Sequence, residues 1–566
     1  MTDRGFMFQA ILAAALLGGL PPVAAASRVS DPGTVVRGAL AARVDTFMTA
    51  AARLGMEGTL LVEKDGAVIL SKGYGVANRA TGAAATTRTP YLAGSLSKQF
   101  TAAAIYRLQE QGRLSVADSL GRWFPQAPPD KRGITLDQLM HHTSGLPYQH
   151  TGSLRDSVST DSLAREILSY PLAYQPGERY QYSNPGYNLL GLVVERASGM
   201  RFEDYMRTAL LGPAGMSETG FVDEPGRWTG DRRTPSYSGY DPDDPPLLPL
   251  PGVPRMLGDG SVVTTTGDLW KWERALRANT VLDTASTRAL FAPGPSSSST
   301  SRYASGWQVV QSQRATTVIM HEGDLGGFNA DMRRLVDEHA TIIFLSNSRQ
   351  GGRGYREVIP IMVTRILFGP QPEMPPVPAP LSRSALQGYG GRWEAAPGAW
   401  VEGRIEGGTV RLKAKSQGAI SALAGSDSLA RAREAFLDGV ASGVADTLLN
   451  AGGTALDARF HPALVPAGHA AFFTFWKDES DSVGAPVRAE VLGTESPTPI
   501  GARTYVRLVG SRGAVVLSLD WVSGLLIGTE PVPAGGLEME FMPASDRTLA
   551  RYDLWAGRIV RLRRSS

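Results

Sequence analysis

The residues best suited to covalent chemistry fall in one short stretch, Tyr91-Leu92-Ala93-Gly94-Ser95-Leu96-Ser97-Lys98-Gln99-Phe100. Of the eight lysines in the chain, only Lys98 has a serine three residues before it. A helix is expected to begin here, because Ser95 follows a glycine-containing turn and Gln99 to Gln111 holds good helix formers ending at Gly112. Positions i and i+3 of a helix share a face, so Ser95 Oγ and Lys98 Nζ can meet over the first turn. A helix N-terminus disfavours an ammonium, and burial lowers a lysine pKa further. A neutral Lys98 could then act as base toward Ser95 as nucleophile. Taken alone, the same spacing fits an N-capping serine beside a solvated lysine.

Two further groups could complete such a site. Tyr182-Ser183-Asn184 is flanked by Gln175-Pro176-Gly177-Glu178 and Pro185-Gly186-Tyr187-Asn188, which predicts a loop presenting Tyr182 and Asn184 to one side. A tyrosine there can pass a proton between nucleophile and leaving group, and an amide can hold a substrate carbonyl. His321-Glu322-Gly323 enters a strand-rich region, where a glycine on an edge strand lets a substrate backbone approach. The backbone N–H groups of Ser95 and Asp324 could form an oxyanion hole. Zinc binding by His321 is disfavoured, because His-Glu-x-x-His would need a histidine where Leu325 stands. No metal site and no cofactor are predicted.

The order Ser-x-x-Lys, Tyr-x-Asn, His-x-Gly resembles the serine β-lactamase and penicillin-binding protein superfamily. Within it the chain is similar to the branch of class C β-lactamases, D-stereospecific peptidases and esterases. Gly73-Tyr74-Gly75-Val76-Ala77, the loop Ile134 to Leu146 and Thr265-Thr266-Gly267-Asp268-Leu269 are also similar to segments of that family. The resemblance implies an acyl-enzyme on Ser95, with Lys98 as base, Tyr182 as proton relay, and Asn184, His321, Gly323 and Asp324 binding substrate. It also implies that His141 and His142 are structural, with His142 bonding the loop around Thr143-Ser144-Gly145. A Ser-His-Asp triad using Ser144 or Ser183 lacks the Gly-x-Ser-x-Gly elbow. Many members carry Lys-Thr-Gly as the third element, and here His321 stands in place of that lysine. A neutral or partly charged imidazole with Glu322 adjacent should hold a substrate carboxylate less firmly, which makes a dedicated β-lactamase less expected. If His321 titrates as an ordinary histidine, KM for a carboxylate substrate rises between about pH 5.5 and 7.5, and His321→Lys strengthens carboxylate binding. A catalytically silent sensor or scaffold is the alternative reading.

The elements that must position these groups follow from periodicity. Val35 to Leu54 has helical apolar spacing, and Gly58 to Glu63 and Ala67 to Lys72 read as strands joined through Lys64-Asp65-Gly66. Strands recur at Ala330 to Val336 and Ala340 to Leu345, before an amphipathic helix, Tyr355 to Leu367. Strands at both ends of a helix-rich segment predict an α+β fold: an antiparallel sheet flanked by helices, with a helical subdomain, over residues 30–368. The proline-rich stretch 369–383 reads as a linker. Residues 384–424 and 535–566 resemble a lipocalin-like barrel, and 425–534 an α+β insertion of the cystatin or nuclear-transport-factor type. A single C-terminal α+β domain is the plainer alternative.

At 566 residues the chain is too long for one core. Its net charge of +3 gives no electrostatic footprint for nucleic acid. The absence of cysteine removes disulfides and thiolate chemistry. Residues 1–26, with Arg4, the apolar run Phe6 to Leu20 and Ala24-Ala25-Ala26, read as a signal peptide, an uncleaved anchor being the alternative. A periplasmic or secreted protein without an integral span after signal removal is expected. Its partner should be a small-molecule or peptide substrate, with peptidoglycan-derived D-amino peptides, acyl esters and β-lactams in that order.

Overall fold

The computed structural model describes residues 33–563, except 54, 151–157, 225, 238–255, 351–352, 357, 376–386, 407–408, 415, 425–427, 451–471, 473–475, 480, 485–487, 497–500, 523–524, 533–536, 544–547 and 554–557. The expected signal peptide and the second half of the expected linker lie outside these residues. Among the described residues no helix is long and apolar enough to cross a membrane.

The chain opens with an edge strand, β1 (Val35–Val36), and helix α1 (Gly38–Arg53). Ala41, Val44, Phe47, Met48 and Ala51 recur at helical spacing and are all buried. Strands β2 (Gly58–Lys64) and β3 (Ala67–Tyr74) form a hairpin whose turn residues Asp65 and Gly66 both have positive φ, as a tight hairpin turn requires. Among the helices that follow, three bear on the site: α2 (Ser97–Glu110), α3 (Asn184–Ser198) and α4 (Thr266–Arg277). The chain then returns through β4 (Ser301–Tyr303), β5 (Gln308–Gln311), β6 (Thr317–Leu325), β7 (Phe328–Leu335) and β8 (Ala340–Ser346) to helix α5 (Val358–Phe368). These strands make one eight-stranded antiparallel sheet in the order β1-β3-β2-β8-β7-β6-β5-β4. This is the α+β sheet with flanking helices that the sequence predicts.

The period-2 alternation of the strands sorts side chains between two cores. On β8, Ile343 and Leu345 join the cluster containing Phe100, Tyr187 and Trp272 from the three central helices. Ile342 and Phe344 face the opposite cluster, with Phe47 of α1 and Ile359 of α5. On β6, Ile319 and Leu325 pack toward the first cluster, and Val318 and Met320 toward the second. Odd-numbered residues of β6 therefore address the nucleophile helix, and even-numbered ones face away from it.

The C-terminal region begins with β9 (Gly391–Ala396), β10 (Ala399–Glu406) and β11 (Thr409–Ala414), then helices α6 (Gln417–Ala424) and α7 (Ser428–Asn450). Next comes a four-stranded meander of β12 (Arg488–Glu495), β13 (Gly501–Gly510), β14 (Gly513–Val522) and β15 (Leu525–Pro531). The last strands, β16 (Leu537–Pro543), β17 (Thr548–Asp553) and β18 (Arg558–Arg563), return to the first three. β11 pairs with β16, giving a six-stranded sheet in the order β9-β10-β11-β16-β17-β18. The expected barrel is not closed: among the described residues no ladder joins β9 to β18. One apolar cluster, around Trp393 and Leu412, also takes in Leu492, Tyr505 and Val516 of the meander, and a second, around Trp521 and Trp476, covers the meander's other side.

Candidate active site

Ser95 lies in a single 3-10 turn, Gly94–Leu96, that runs directly into α2. Ser95 is partly exposed, whereas Lys98, one turn on, is wholly buried. Lys98 Nζ is 3.2 Å from Ser95 Oγ, 2.8 Å from Asn184 Oδ1 and 3.0 Å from the backbone oxygen of Asp259. Burial lowers the Lys98 pKa from 10.5 to about 8, against an opposing pull from the Asp259 carboxylate. The Tyr182 hydroxyl is within hydrogen-bonding reach of Ser95, and burial holds its pKa well above 10. The site thus places a readily deprotonated amine and a persistently protonated phenol at one serine oxygen.

Asn184 departs from expectation. It is not on the loop with Tyr182 but is the first residue of α3: the Ser183 hydroxyl accepts from the Gly186 N–H as N-cap, and Pro185 stands in the first turn. A proline there loses no helical hydrogen bond, so Pro185 starts the helix instead of prolonging the loop. The Asn184 side chain accepts from Lys98 and donates to Gln149 Oε1 at 2.9 Å.

Gly323 of β6 and the nucleophile turn are in close contact. A Cβ on Gly323 would overlap the Ala93 carbonyl oxygen and lie 3.2 Å from the Ser95 nitrogen. Gly94, with φ +52, would bring a Cβ to 3.0 Å from the Asp324 nitrogen. The two backbone nitrogens expected at an oxyanion hole therefore belong to segments held together by absent side chains.

His321 faces the same side as Gly323, but it is buried beneath the site. Its Nδ1 lies 2.6 Å from the Glu322 carbonyl oxygen, which can only accept, so Nδ1 carries the proton. Its Nε2, 2.9 Å from the Tyr303 hydroxyl, then accepts from it. Burial, and next the nearby Lys98 charge, lower the His321 pKa to about 3. The expected titration between pH 5.5 and 7.5 is therefore corrected: the ring is neutral throughout. Glu322 does not oppose a substrate charge either. The alternation of β6 turns Glu322 and the Asp324 side chain to the other face, where Arg356 pairs with both carboxylates.

His142 also differs from expectation. It bonds the segment around Tyr182, not residues 143–145: its Nδ1 accepts from the Ser183 N–H at 3.0 Å. Sequence reasoning missed Asp259, Tyr303 and Asn188. Asn188 Oδ1 accepts from the Gly258 N–H and Thr101 donates to the Gly258 oxygen, which fixes the turn that offers the Asp259 carbonyl to Lys98. Gly258-Asp259-Gly260 shortly before β-like residues was the available signal. Among the described residues no cluster of three or more His, Asp or Glu is arranged to hold a metal ion.

Residues 40–361 match the Beta-lactamase family, more than half of the chain. The chain belongs to the beta-lactamase family. A penicillin-binding protein of Bacillus subtilis (strain 168) is 31% identical over 365 residues, covering 60% of this chain and 78% of the relative. The octameric penicillin-binding protein homologue from Pyrococcus abyssi shares the fold with a TM-score of 0.53 at 18% identity, over 92% of this chain and 99% of that one. The D-amino acid amidase from Ochrobactrum anthropi SV3 shares it with a TM-score of 0.50 at 21% identity, over 58% of this chain and 97% of that one. The chain thus has a penicillin-binding protein among its relatives and shares its fold with a D-amino acid amidase.

Proposed function

We propose that this beta-lactamase family member is an exported serine hydrolase that cleaves an amide or ester through an acyl-Ser95 intermediate. The observation that carries the reading is the buried Lys98 amine, 3.2 Å from Ser95 Oγ with its pKa drawn down to about 8. In this mechanism Lys98 takes the Ser95 proton as Oγ attacks the substrate carbonyl carbon. The backbone N–H groups of Ser95 and Asp324 receive the oxyanion. Tyr182, neutral throughout, gives its proton to the leaving group and regains one from the Lys98 side. Asn184 orients Lys98 and borders the substrate, and water releases the acyl group.

A neutral His321 offers no cation where a lysine elsewhere in the family attracts a carboxylate. That favours substrates that do not depend on such an anchor: D-amino peptides or amides first, short acyl esters next, β-lactams last. An amide of a D-amino acid is also the substrate class in the name of the Ochrobactrum anthropi relative. Residues 30–368 form the hydrolase domain in this reading, 369–383 the linker, and the remaining segments flank or cap it. The test is a labelled fluorophosphonate followed by peptide mass spectrometry. Label is expected on Ser95 and absent from Ser95→Ala; equal labelling of the variant would sink the proposal.

A further inference from the structure

Tyr182 can relay a proton only if its hydroxyl is held at Ser95, yet Tyr182 lies in a non-helical segment just before α3. Something must fix that segment. The N–H groups on either side of Tyr182 are both taken by one residue. The backbone oxygen of His142 accepts from the Gln181 N–H at 2.8 Å, and its Nδ1 accepts from the Ser183 N–H at 3.0 Å. The imidazole also lies against the Tyr182 ring, with centroids 4.2 Å apart and planes at 35°. His142 achieves this with φ 57, a conformation non-glycine residues seldom adopt. We propose that His142 is the positioning residue for Tyr182, clasping the segment from both sides and backing the phenol with its ring. This inference rests on the role assigned to Tyr182 above.

The hydrogen bonds settle the tautomer. A backbone N–H can only donate, so Nδ1 is unprotonated and the ring proton sits on Nε2. That nitrogen is buried among the rings of Tyr182, Tyr187 and Tyr303 and has no hydrogen-bond partner among the described residues. A second proton would have to enter at Nδ1 and expel the Ser183 N–H. The surroundings oppose it: burial first and then the Lys98 charge disfavour the imidazolium, and Tyr180, Tyr182, Tyr187 and Tyr303 add no carboxylate. The clasp therefore holds as a neutral acceptor across the working pH range. An asparagine could replace part of it, since it tolerates positive φ and its Oδ1 occupies much the position of Nδ1.

The experiment compares His142→Leu and His142→Asn, each alone and combined with Tyr182→Phe, on a neutral ester. His142→Leu is expected to lower kcat roughly 100-fold, with KM moving less than about 3-fold, because misplacement of a reacting group by an ångström costs on that order. His142→Asn should recover about tenfold of that loss. On the Tyr182→Phe background His142→Leu should cost less than about 3-fold, because the residue it positions is gone. Amide hydrogen exchange gives a readout independent of turnover: protection of the Ser183 amide is lost in His142→Leu and restored in His142→Asn. Should His142→Leu not fold, His142→Gln replaces it, its acceptor lying one bond too far to meet the Ser183 amide, and Asn is expected to exceed Gln. Equal kinetic cost on both backgrounds, or a Ser183 amide still protected without the imidazole, overturns the clasp. If the unsubstituted enzyme turned over nothing, the proposed function would fall while the exchange measurement still decided the role of His142.

Discussion

Asp259→Asn is the sharpest probe of Lys98 as the base. Lys98 receives two opposed influences: burial, which lowers its pKa, and the Asp259 carboxylate, which raises it, for a balance at about 8. At pH 7 an amine of that pKa is about one-tenth neutral, whereas at the ordinary lysine value about 3 molecules in 10,000 would be, a gain of roughly 300-fold, or about 3 kcal/mol. Since the base must be unprotonated, kcat/KM for a neutral ester should fall as the pH drops below 8 and level off above it, the fall being less than tenfold per unit where the Asp259 charge is also lost. Asparagine is nearly isosteric with aspartate and leaves the backbone oxygen of residue 259 on Lys98 Nζ. It removes the negative charge, so the ammonium is favoured less and the midpoint should fall by about one unit. At pH 7 the neutral fraction would then rise to about one-half, giving about a fivefold gain in kcat/KM, with an unchanged alkaline plateau. Burial raises the Asp259 carboxyl itself to about 6, so below that pH it is uncharged in the natural protein and the two profiles should converge. The assay is kcat/KM from pH 5.5 to 10 on one chromogenic ester, corrected for spontaneous hydrolysis. A natural-protein midpoint near 10.5, a flat profile, or an Asp259→Asn midpoint that stays or rises would refute the argument.

Because burial holds His321 at about 3, KM for a carboxylate-bearing ester and for its neutral counterpart should run parallel from pH 5.5 to 7.5; divergence centred near 6.5 would show a charged ring. For the same reason His321→Lys, which would bury an ammonium near Lys98, is expected to lower stability by a few kcal/mol in denaturant unfolding and not to strengthen carboxylate binding. Gly323→Ala forces a methyl onto the Ala93 carbonyl and should slow Ser95 labelling by about 100-fold, with a stability loss of about 1–3 kcal/mol. Gly133→Ala, where a Cβ would meet nothing within 4 Å, is the control and should stay within about 0.5 kcal/mol of the natural protein; equal effects at the two glycines would remove the close approach of β6 from the account.

What the sequence determined by itself is local. The pairing of Ser95 with Lys98 needs only the rise and turn of one helix, and the β2–β3 hairpin needs only two residues able to take positive φ. The order of Ser95, Tyr182 and His321 sufficed for the family. Around His321 only a strand-rich region was legible, not the alternation of β6 or the face that meets α2, so Glu322 was read as a neighbour of the substrate when it lies behind the sheet. Asn184 was misplaced because Pro and Gly mark both loops and helix starts, and only the Ser183 cap decides between them. The protonation states lay furthest out of reach. Lys98 depends on Asp259, 161 residues away, and His321 on its burial and on the Lys98 charge. A lowered Lys98 pKa was expected from its place on the helix, but a pKa records desolvation and fields summed over everything folded around a group, so the neutral His321 and the opposing pull of Asp259 were decided by tertiary structure.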